Sequence, residues 1–232
     1  LPAQRVLLFT RTTGFRHRSI PAAVTAFREL AAELGLDAVA TEDPAEFTAE
    51  TLADCRTVVF LSTTGEVLTE DSRQALEGHL ASGGGFLGVH SAAGTEYDWP
   101  FYGGLVGARF RSHPESQPAI LTVEDRAHPA TAHLPERWPW TDEWYDFRTD
   151  PRPGVRVLLS VDEGGYRGGG MGAGHPLAWC HHYGGGRSFY TALGHHSAAY
   201  TDPDFRRHLL GALRWTCGDR TSRDEELDYC RT

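Results

Sequence analysis

The hydrophobic positions along the chain fall into two rhythms. Short apolar runs, "RVLLFTR" at 5–11, "TVVFLST" at 57–63 and "GFLGVH" at 85–90, read as strands buried on both faces of a parallel sheet, and "DAVATE" at 37–42 is a weaker one. Between them the period lengthens. "PAAVTAFRELAAELG" sets Val24, Phe27, Leu30, Ala31 and Leu34 on one face, with Pro21 in its first turn and Gly35 past its end, as an amphipathic helix requires. "TEDSRQALEGHLASG" at 69–83 is a second helix with an acidic first turn. Helices alternating with apolar strands predict an α/β protein with a doubly wound, mostly parallel sheet.

Beyond residue 100 the pattern loosens. "PAILTVED" (118–125), "WYDFR" (144–148) and "VRVLLSVD" (155–162) read as strands, and "PLAWCHHYGGGRSFYTALG" (176–194) as a hairpin turning at Gly184–Gly186. "DPDFRRHLLGALRWTCG" (202–218) closes as a helix, capped by Asp202, with Phe205, Leu209 and Leu213 on its inner stripe. "DEGGYRGGGMGAG" (162–174) is a flexible glycine-rich loop and a poor phosphate cradle, because no helix follows it and the Walker lysine is absent.

Composition narrows the class. At 232 residues, 40% hydrophobic and 23% charged, the chain can bury one sizeable core, so residues 1–232 are expected to form one soluble globular domain, with a core at about 5–218 and a charged tail at 219–232. A net charge of −9 and no basic stripe interleaved with aromatics exclude a nucleic-acid partner. No apolar segment approaches the roughly 20 residues that span a bilayer, so no membrane partner is expected. The chain begins at Leu1, which leaves a removed leader, and hence either a cytoplasmic or a secreted protein, open. A homo-oligomer is also left open. Every basic side chain is Arg, with no Lys, no Asn and two Ile, a bias that fits a GC-rich genome and leaves no N-glycosylation sequon. The four cysteines are too sparse for a disulfide scaffold; Cys55 and Cys180 read as buried thiols, and only Cys217 and Cys230 are placed to pair, which would favour export.

Doubly wound sheets gather chemistry where loops converge at the carboxyl ends of the strands. His17 follows the first strand, His90 ends the run at 85–90, and His195 follows "SFYTALG". His113 in "ARFRSHPE" and Glu143 in "TDEWYDFR" are polar residues framed by aromatics that could close the same pocket. Taken singly, each histidine reads as a hydrogen-bonded loop residue; their shared position at strand exits turns them into a site. His181 and His182 alternate in a hairpin strand, with at least one facing water, while His79, His208, His128, His133 and His175 read as structural. Ser91 invites a nucleophile reading, but "GVHSA" is not GxSxG, and a hydrolase would need a histidine within reach of its hydroxyl.

The segments "TTGFRHRSIP", "STTGEVLTEDSRQALEGHLASGGGFLGVHSAAG", "ARFRSHPE", "TDEWYDF" and "HPLAWCHHYGGGRSFYTALGHHSAAYTDPDF" carry a resemblance. In order and without large gaps, from about residue 5 to 218, they resemble the trehalose-utilisation family, the ThuA-like domains. The resemblance implies a flavodoxin-like three-layer sandwich similar to the class I glutamine amidotransferases, whose cysteine nucleophile stands at a strand-to-helix elbow. Here His90 occupies that neighbourhood and no cysteine lies nearby, so thioester chemistry is lost. The resemblance also implies a small-molecule carbohydrate substrate, a 3-keto disaccharide or glycoside among the candidates.

Together these readings nominate His90, Glu143, His17 and His195 as catalytic, with Arg16, Glu66, His113, Tyr97 and Trp144 binding substrate. Two chemistries fit: a divalent metal such as zinc held by His17, His90, His113 and His195, or metal-free acid and base work by histidine and glutamate. Metal spacing does not choose between them, since HExxH and HxH are both absent. A lyase, isomerase or hydrolase without a cysteine nucleophile is the expected enzyme, and a non-catalytic carbohydrate-binding or scaffold domain is the alternative. Trp99, Phe101, Tyr102, Trp144 and Tyr145 could stack on a sugar or simply fill a core.

Overall fold

The computed structural model describes residues 5–218 of the chain; the segment 219–232, read above as a charged tail, lies outside the described residues. The first half follows the predicted alternation. Strand β1 (Arg5–Phe9) leads to α1 (Ile20–Glu33), β2 (Asp37–Thr41), the short α2 (Ala49–Ala53), β3 (Cys55–Leu61), α3 (Glu70–Ala81) and β4 (Gly85–Val89). After α4 (Pro100–Val106) come β5 (Phe110–Ser112), β6 (Gln117–Val123), β7 (Arg137–Asp142), β8 (Asp146–Phe147), β9 (Arg156–Val161), β10 (His175–Tyr183), β11 (Gly186–Thr191) and α5 (Pro203–Thr216).

Nine strands form one sheet in the order β2-β1-β3-β4-β11-β10-β9-β6-β7. The pairings from β2 through β11 are parallel, and those from β11 onward are antiparallel, so the sheet is a parallel α/β core extended by an antiparallel wing. Strands β3 and β4 are buried along nearly their whole length, which demands cover on both faces. One layer of that cover is aromatic: Phe9, Phe47, Phe60, Phe86 and Tyr102 meet ring to ring. Another comes from α5, whose His208 lies against Phe189 of β11 and which also packs on α1. The Asp202 cap forms as the sequence predicts, accepting from the backbone N–H groups of Asp204 and Phe205 at 2.9 Å each.

Besides the short α2, α4 and β5, which the sequence reading did not name, three segments depart from it. Strand β7 was hidden by Pro139, which removes a ladder donor; β7 is the last strand of the sheet, where a proline is tolerated. "WYDFR" yields only the two residues of β8, paired with β5 in a separate small sheet, because Trp144 and Tyr145 turn into the interior. The glycine-rich stretch 162–174 is pinned: Asp146 accepts from Gly170 N at 3.1 Å and Glu163 from Met171 N at 2.7 Å. Cys55 and Cys217 are buried thiols, so the pairing expected of Cys217 is not formed, and Cys230 lies outside the described residues. Cys180, expected to be a thiol, is disulfide-bonded.

This topology decides where side chains can meet. Strands β1, β4 and β11 run parallel within one sheet, so the segments that follow them emerge at one edge. Four successive antiparallel pairings then return β7 to the direction of β11, and the residue after β7 leaves at that edge too.

Candidate functional site

At that edge the structure gathers His17, His90, His195 and Glu143, with one donor atom from each lying within 4.8 Å of the others. The imidazole rings stand nearly perpendicular, with centroids 4.7 Å apart for His17 and His90 and 5.4 Å for His17 and His195. Glu143 reaches between them, its Oε2 3.1 Å from His195 Nδ1 and 3.4 Å from His90 Nε2.

His90 stands where β4 gives way to a 3₁₀ turn, in left-handed backbone at φ 53°. That conformation costs of order 1 kcal/mol or more in a residue with a Cβ and persists only when its surroundings enforce it. They do: the buried hydroxyls of Tyr190 and Tyr102 donate to the carbonyls of His90 and Ala92, each at 2.7 Å. Strand β4 therefore ends in a locked elbow that projects an imidazole. Its Nδ1 lies 2.7 Å from the carbonyl of Ala192, which can only accept, so Nδ1 carries the proton and Nε2 keeps a lone pair. The hydroxyl of Tyr145, 2.9 Å away, donates to that Nε2.

His195 is placed by a different device. Asp142, fully buried at the end of β7, accepts from the backbone N–H of Gly194 at 2.9 Å, of His195 at 3.2 Å and of Glu143 at 2.9 Å, and from Trp140 Nε1 at 3.0 Å. One carboxylate thus anchors two loops that carry site residues. Gly194 itself lies at φ 111°, and a Cβ there would come within 2.6 Å of Tyr200 Oη, so glycine is required for the chain to turn toward the site. His17 is held by Ser91, whose Oγ lies 3.3 Å from His17 Nδ1.

The electrostatics leave His17 and Glu143 in ligand form and favour a proton on His195. Burial pushes His17 down to about 3, helped by the facing His90 and His195, so its imidazole is neutral. Burial would raise the Glu143 carboxyl, but the contacts to His195 and His90 outweigh it and hold the group far below the usual carboxylate range. The Glu143 carboxylate in turn raises His195 against its burial. Although the two groups are close, Glu143 Oε2 and His195 Nδ1 are buried without an aligned hydrogen-bond partner.

The other nominated residues separate into rim and scaffold. His113 is at the rim: its Nδ1 is 2.8 Å from the carbonyl of Pro114 and 3.6 Å from Glu143 Oε1, so it stands outside the four-donor group rather than among the expected metal ligands. The contacts of Arg16 run to Thr10, Thr12 and Glu42. Glu66 binds Tyr97 N and Arg73, within a network centred on the buried Glu96. The Tyr97 hydroxyl donates to Phe110 O at 2.9 Å, and its ring lies under Arg148. Trp144 is fully buried and so presents no face to a sugar. Its expected substrate contact is replaced by core packing, and Trp99, Tyr102 and Tyr145 are likewise buried. The aromatic that faces solvent here is Phe15, 68% exposed, its ring 4.9 Å from that of His17. Asp142 and Phe15 escaped the sequence reading, and Tyr145 was named there only as a stacking or core aromatic; a strand hidden by Pro139 concealed the first, and nothing in local pattern distinguishes the other two from core aromatics.

A second close group, Asp146, Glu163 and His175, differs in that its atoms are already engaged. His175 Nε2 binds Tyr145 O at 2.8 Å and its Nδ1 binds Tyr166 Oη at 2.9 Å, while Arg111 pairs with Asp146.

A family model described as trehalose utilisation, ThuA, matches residues 5–216. The chain belongs to the ThuA family. A ThuA-like protein from Bacteroides uniformis is 25% identical, with a TM-score of 0.77, over 95% of this chain and 94% of that one. A ThuA-like protein from Parabacteroides merdae shares the fold at 20% identity and a TM-score of 0.76, over 96% and 92%. A β-galactosidase from Bacillus circulans sp. alkalophilus also contains the fold, at 14% identity and a TM-score of 0.60, over 93% of this chain and 31% of its own. No curated protein matches. ThuA membership supports a carbohydrate-related role. Among the described residues no helix is long and apolar enough to cross a membrane.

Proposed function

We propose that this ThuA-family chain is an enzyme acting on an oxidised carbohydrate, a 3-keto disaccharide or glycoside, at a divalent-metal site formed by His17, His90, His195 and Glu143. The observation that carries the reading is the convergence of three imidazoles and one carboxylate whose facing atoms, Glu143 Oε2 and His195 Nδ1, are buried without aligned partners. Buried polar groups are normally satisfied, so such a pair marks a place that something else fills. The donor set fits zinc or a similar ion, three imidazole nitrogens and one carboxylate leaving room for a further ligand. The outer contacts fit as well: His90 Nδ1–H on Ala192 O turns the lone pair of Nε2 inward, and His17 meets Ser91 through Nδ1.

The protonation states of Glu143 and His17 argue against acid and base work by those two groups. A carboxyl held so low is a poor base, and an imidazole titrating at about 3 is not a proton donor near neutrality. A bound ion would supply Lewis-acid charge for a substrate oxygen. The chain's own residues do the rest. Tyr145, whose phenol burial keeps protonated, meets His90 Nε2 here, and an ion taking that lone pair would free its O–H to donate to the substrate. His113, with Nδ1–H directed at Pro114 O, offers Nε2 at the rim as the atom that would accept the proton on the carbon beside the ketone. The C–H electron pair moves to the ketone oxygen; its return either expels the glycosidic oxygen, which takes a proton, or reprotonates the carbon and isomerises the sugar. Phe15 offers an apolar ring face at the entrance.

A carbohydrate-binding domain without chemistry would not need these side chains to converge. Elemental analysis of untagged protein prepared without chelator, followed by assay on 3-keto glycosides, tests the reading: about one ion per chain and activity abolished by chelator and restored by zinc are expected. Substoichiometric metal with activity unaffected by chelator would overturn the metal site.

A further inference from the structure

Beside the histidine cluster lies an open groove of about 700 Å³, within the size range of small-molecule sites. Its walls are apolar, from Ile120, Pro139, Trp140 and Ala198, with His196 and Asp202 as polar groups among them. Two features tie it to the cluster. His196 directly follows His195, and their rings stand 4.6 Å apart at nearly a right angle, so one imidazole faces the cluster while the next lines the groove. Trp140 donates through Nε1 to Asp142, the carboxylate that holds the backbone of Glu143, Gly194 and His195. Nothing in the chemistry proposed above uses this groove, and His196 is the lining residue that joins it to the cluster.

We infer that the groove is a leaving-group subsite: it takes the ring joined through the glycosidic oxygen to the sugar at the cluster, and Trp140 is the wall on which that ring stacks. The inference rests on the carbohydrate reading of the cluster. The occupant must present a flat apolar face to Trp140 and Pro139 and an edge able to hydrogen-bond His196, which is held by Ser116 Oγ at 2.7 Å. The second pyranose of a disaccharide and an aromatic aglycone share that chemistry. Because Asp142 joins the stacking wall to the cluster backbone, contact in the groove is made on the scaffold that positions His195 and Glu143. Binding energy gained away from the reacting bond can be spent there on alignment.

The test titrates zinc-loaded, isotope-labelled protein with three 3-keto-glucosides, carrying a methyl group, a phenyl group or a second glucose, while following the tryptophan indole N–H signals. Roughly tenfold tighter binding of the phenyl or the disaccharide probe than of the methyl probe is expected, with a shift of the Trp140 signal, assigned from Trp140→Phe. Which of the two larger probes gains distinguishes an aromatic aglycone from a second sugar. Ala198→Trp, which fills the groove, should remove the gain while the methyl probe still binds. Equal binding of all three probes, or a gain that survives Ala198→Trp without a Trp140 shift, overturns the subsite and leaves the carbohydrate reading standing. Failure of every probe, the methyl one included, overturns both. If Ala198→Trp does not fold, Ile120→Trp and the Trp140 shift in the unaltered protein decide the matter.

Discussion

His90 and His208 are equally hidden from solvent, both at 0% exposure, and they are put to opposite uses. His208, on α5, binds the carbonyl of Ala130 through Nδ1 at 2.9 Å and Thr191 Oγ1 through Nε2 at 3.2 Å, and its ring stacks on Phe205. Both nitrogens are spent on the scaffold. His90 spends Nδ1 on the Ala192 carbonyl and points Nε2, which meets the Tyr145 hydroxyl, toward a carboxylate and two more imidazoles rather than into the scaffold. His79 resembles the first kind, with Nε2 on Gly85 O at 3.1 Å, and so does His175, tied to Tyr145 and Tyr166. Burial therefore does not separate a structural histidine from a working one; what each nitrogen meets does.

The sharpest break in this comparison is expected from two alanine variants. His90→Ala should lose about one ion per chain and cut activity by roughly a hundredfold or more while the protein stays folded, read by elemental analysis, turnover and circular dichroism. His208→Ala should do the reverse, lowering the unfolding midpoint by an amount worth roughly 2 kcal/mol or more and leaving turnover per folded molecule nearly unchanged. Loss of activity without loss of stability in His208→Ala would erase the distinction.

Next in size is acid sensitivity. Burial lowers His208 to about 4 and His128 to about 3, against an ordinary value of 6.5. Both are neutral in the folded protein, and the unfolded chain takes up protons first as pH falls. The contribution of the two histidines is therefore full above about pH 6.5, declines as pH drops through that value and levels off near pH 4 for His208 and near pH 3 for His128, with His208 alone contributing about 3 kcal/mol to the fall. Urea titrations at pH 7, 5.5 and 4 should show the decline, and His208→Gln should make it shallower. A flat profile would mean that neither histidine is held neutral by the fold.

These two regions were not equally legible in the sequence. Apolar runs such as "TVVFLST" and "GFLGVH" announced the parallel strands, and parallel strands bring their exits to one edge, which is why His17, His90 and His195 could be grouped before their distances were known. The antiparallel wing was harder. Pro139 disguised β7, and with it Asp142, whose four accepted hydrogen bonds are a tertiary fact that no local spacing encodes. Aromatics misled in the same way. Trp144 and Phe15 look alike in composition, yet one fills the core and the other faces solvent, and only packing assigns them.

That contrast supplies a smaller prediction. Phe15 is fixed rather than loose: its carbonyl accepts from Thr64 Oγ1 at 2.8 Å and its ring abuts His17. Phe15→Ala should raise KM for a keto glycoside by about two- to tenfold, the weight of one aromatic contact, with little change in kcat, and Phe15→Tyr should restore it. A fall in kcat at unchanged KM would place Phe15 with the reacting groups instead.

The smallest effect is expected at Ser91, although geometry gives it the partner a nucleophile would want. Its hydroxyl lies 3.3 Å from His17 Nδ1, which is the requirement that a serine hydrolase reading made of the structure. Distance is not sufficient. A histidine pushed down to about 3 by burial and by neighbouring imidazoles has little affinity for the serine proton near neutrality, and the elbow position belongs to His90, one residue earlier. Ser91 instead fixes the ring of His17. In the metal reading that contact is an outer support for a ligand, and losing it typically weakens metal binding by roughly ten- to a hundredfold. With zinc supplied in excess, Ser91→Ala should therefore regain most of its turnover, whereas loss of a nucleophile could not be repaired by metal. Assay of Ser91→Ala across a zinc titration, beside a fluorophosphonate labelling experiment on the unaltered protein, separates the two. Stoichiometric labelling of Ser91, together with activity that zinc fails to restore, would return the site to serine chemistry.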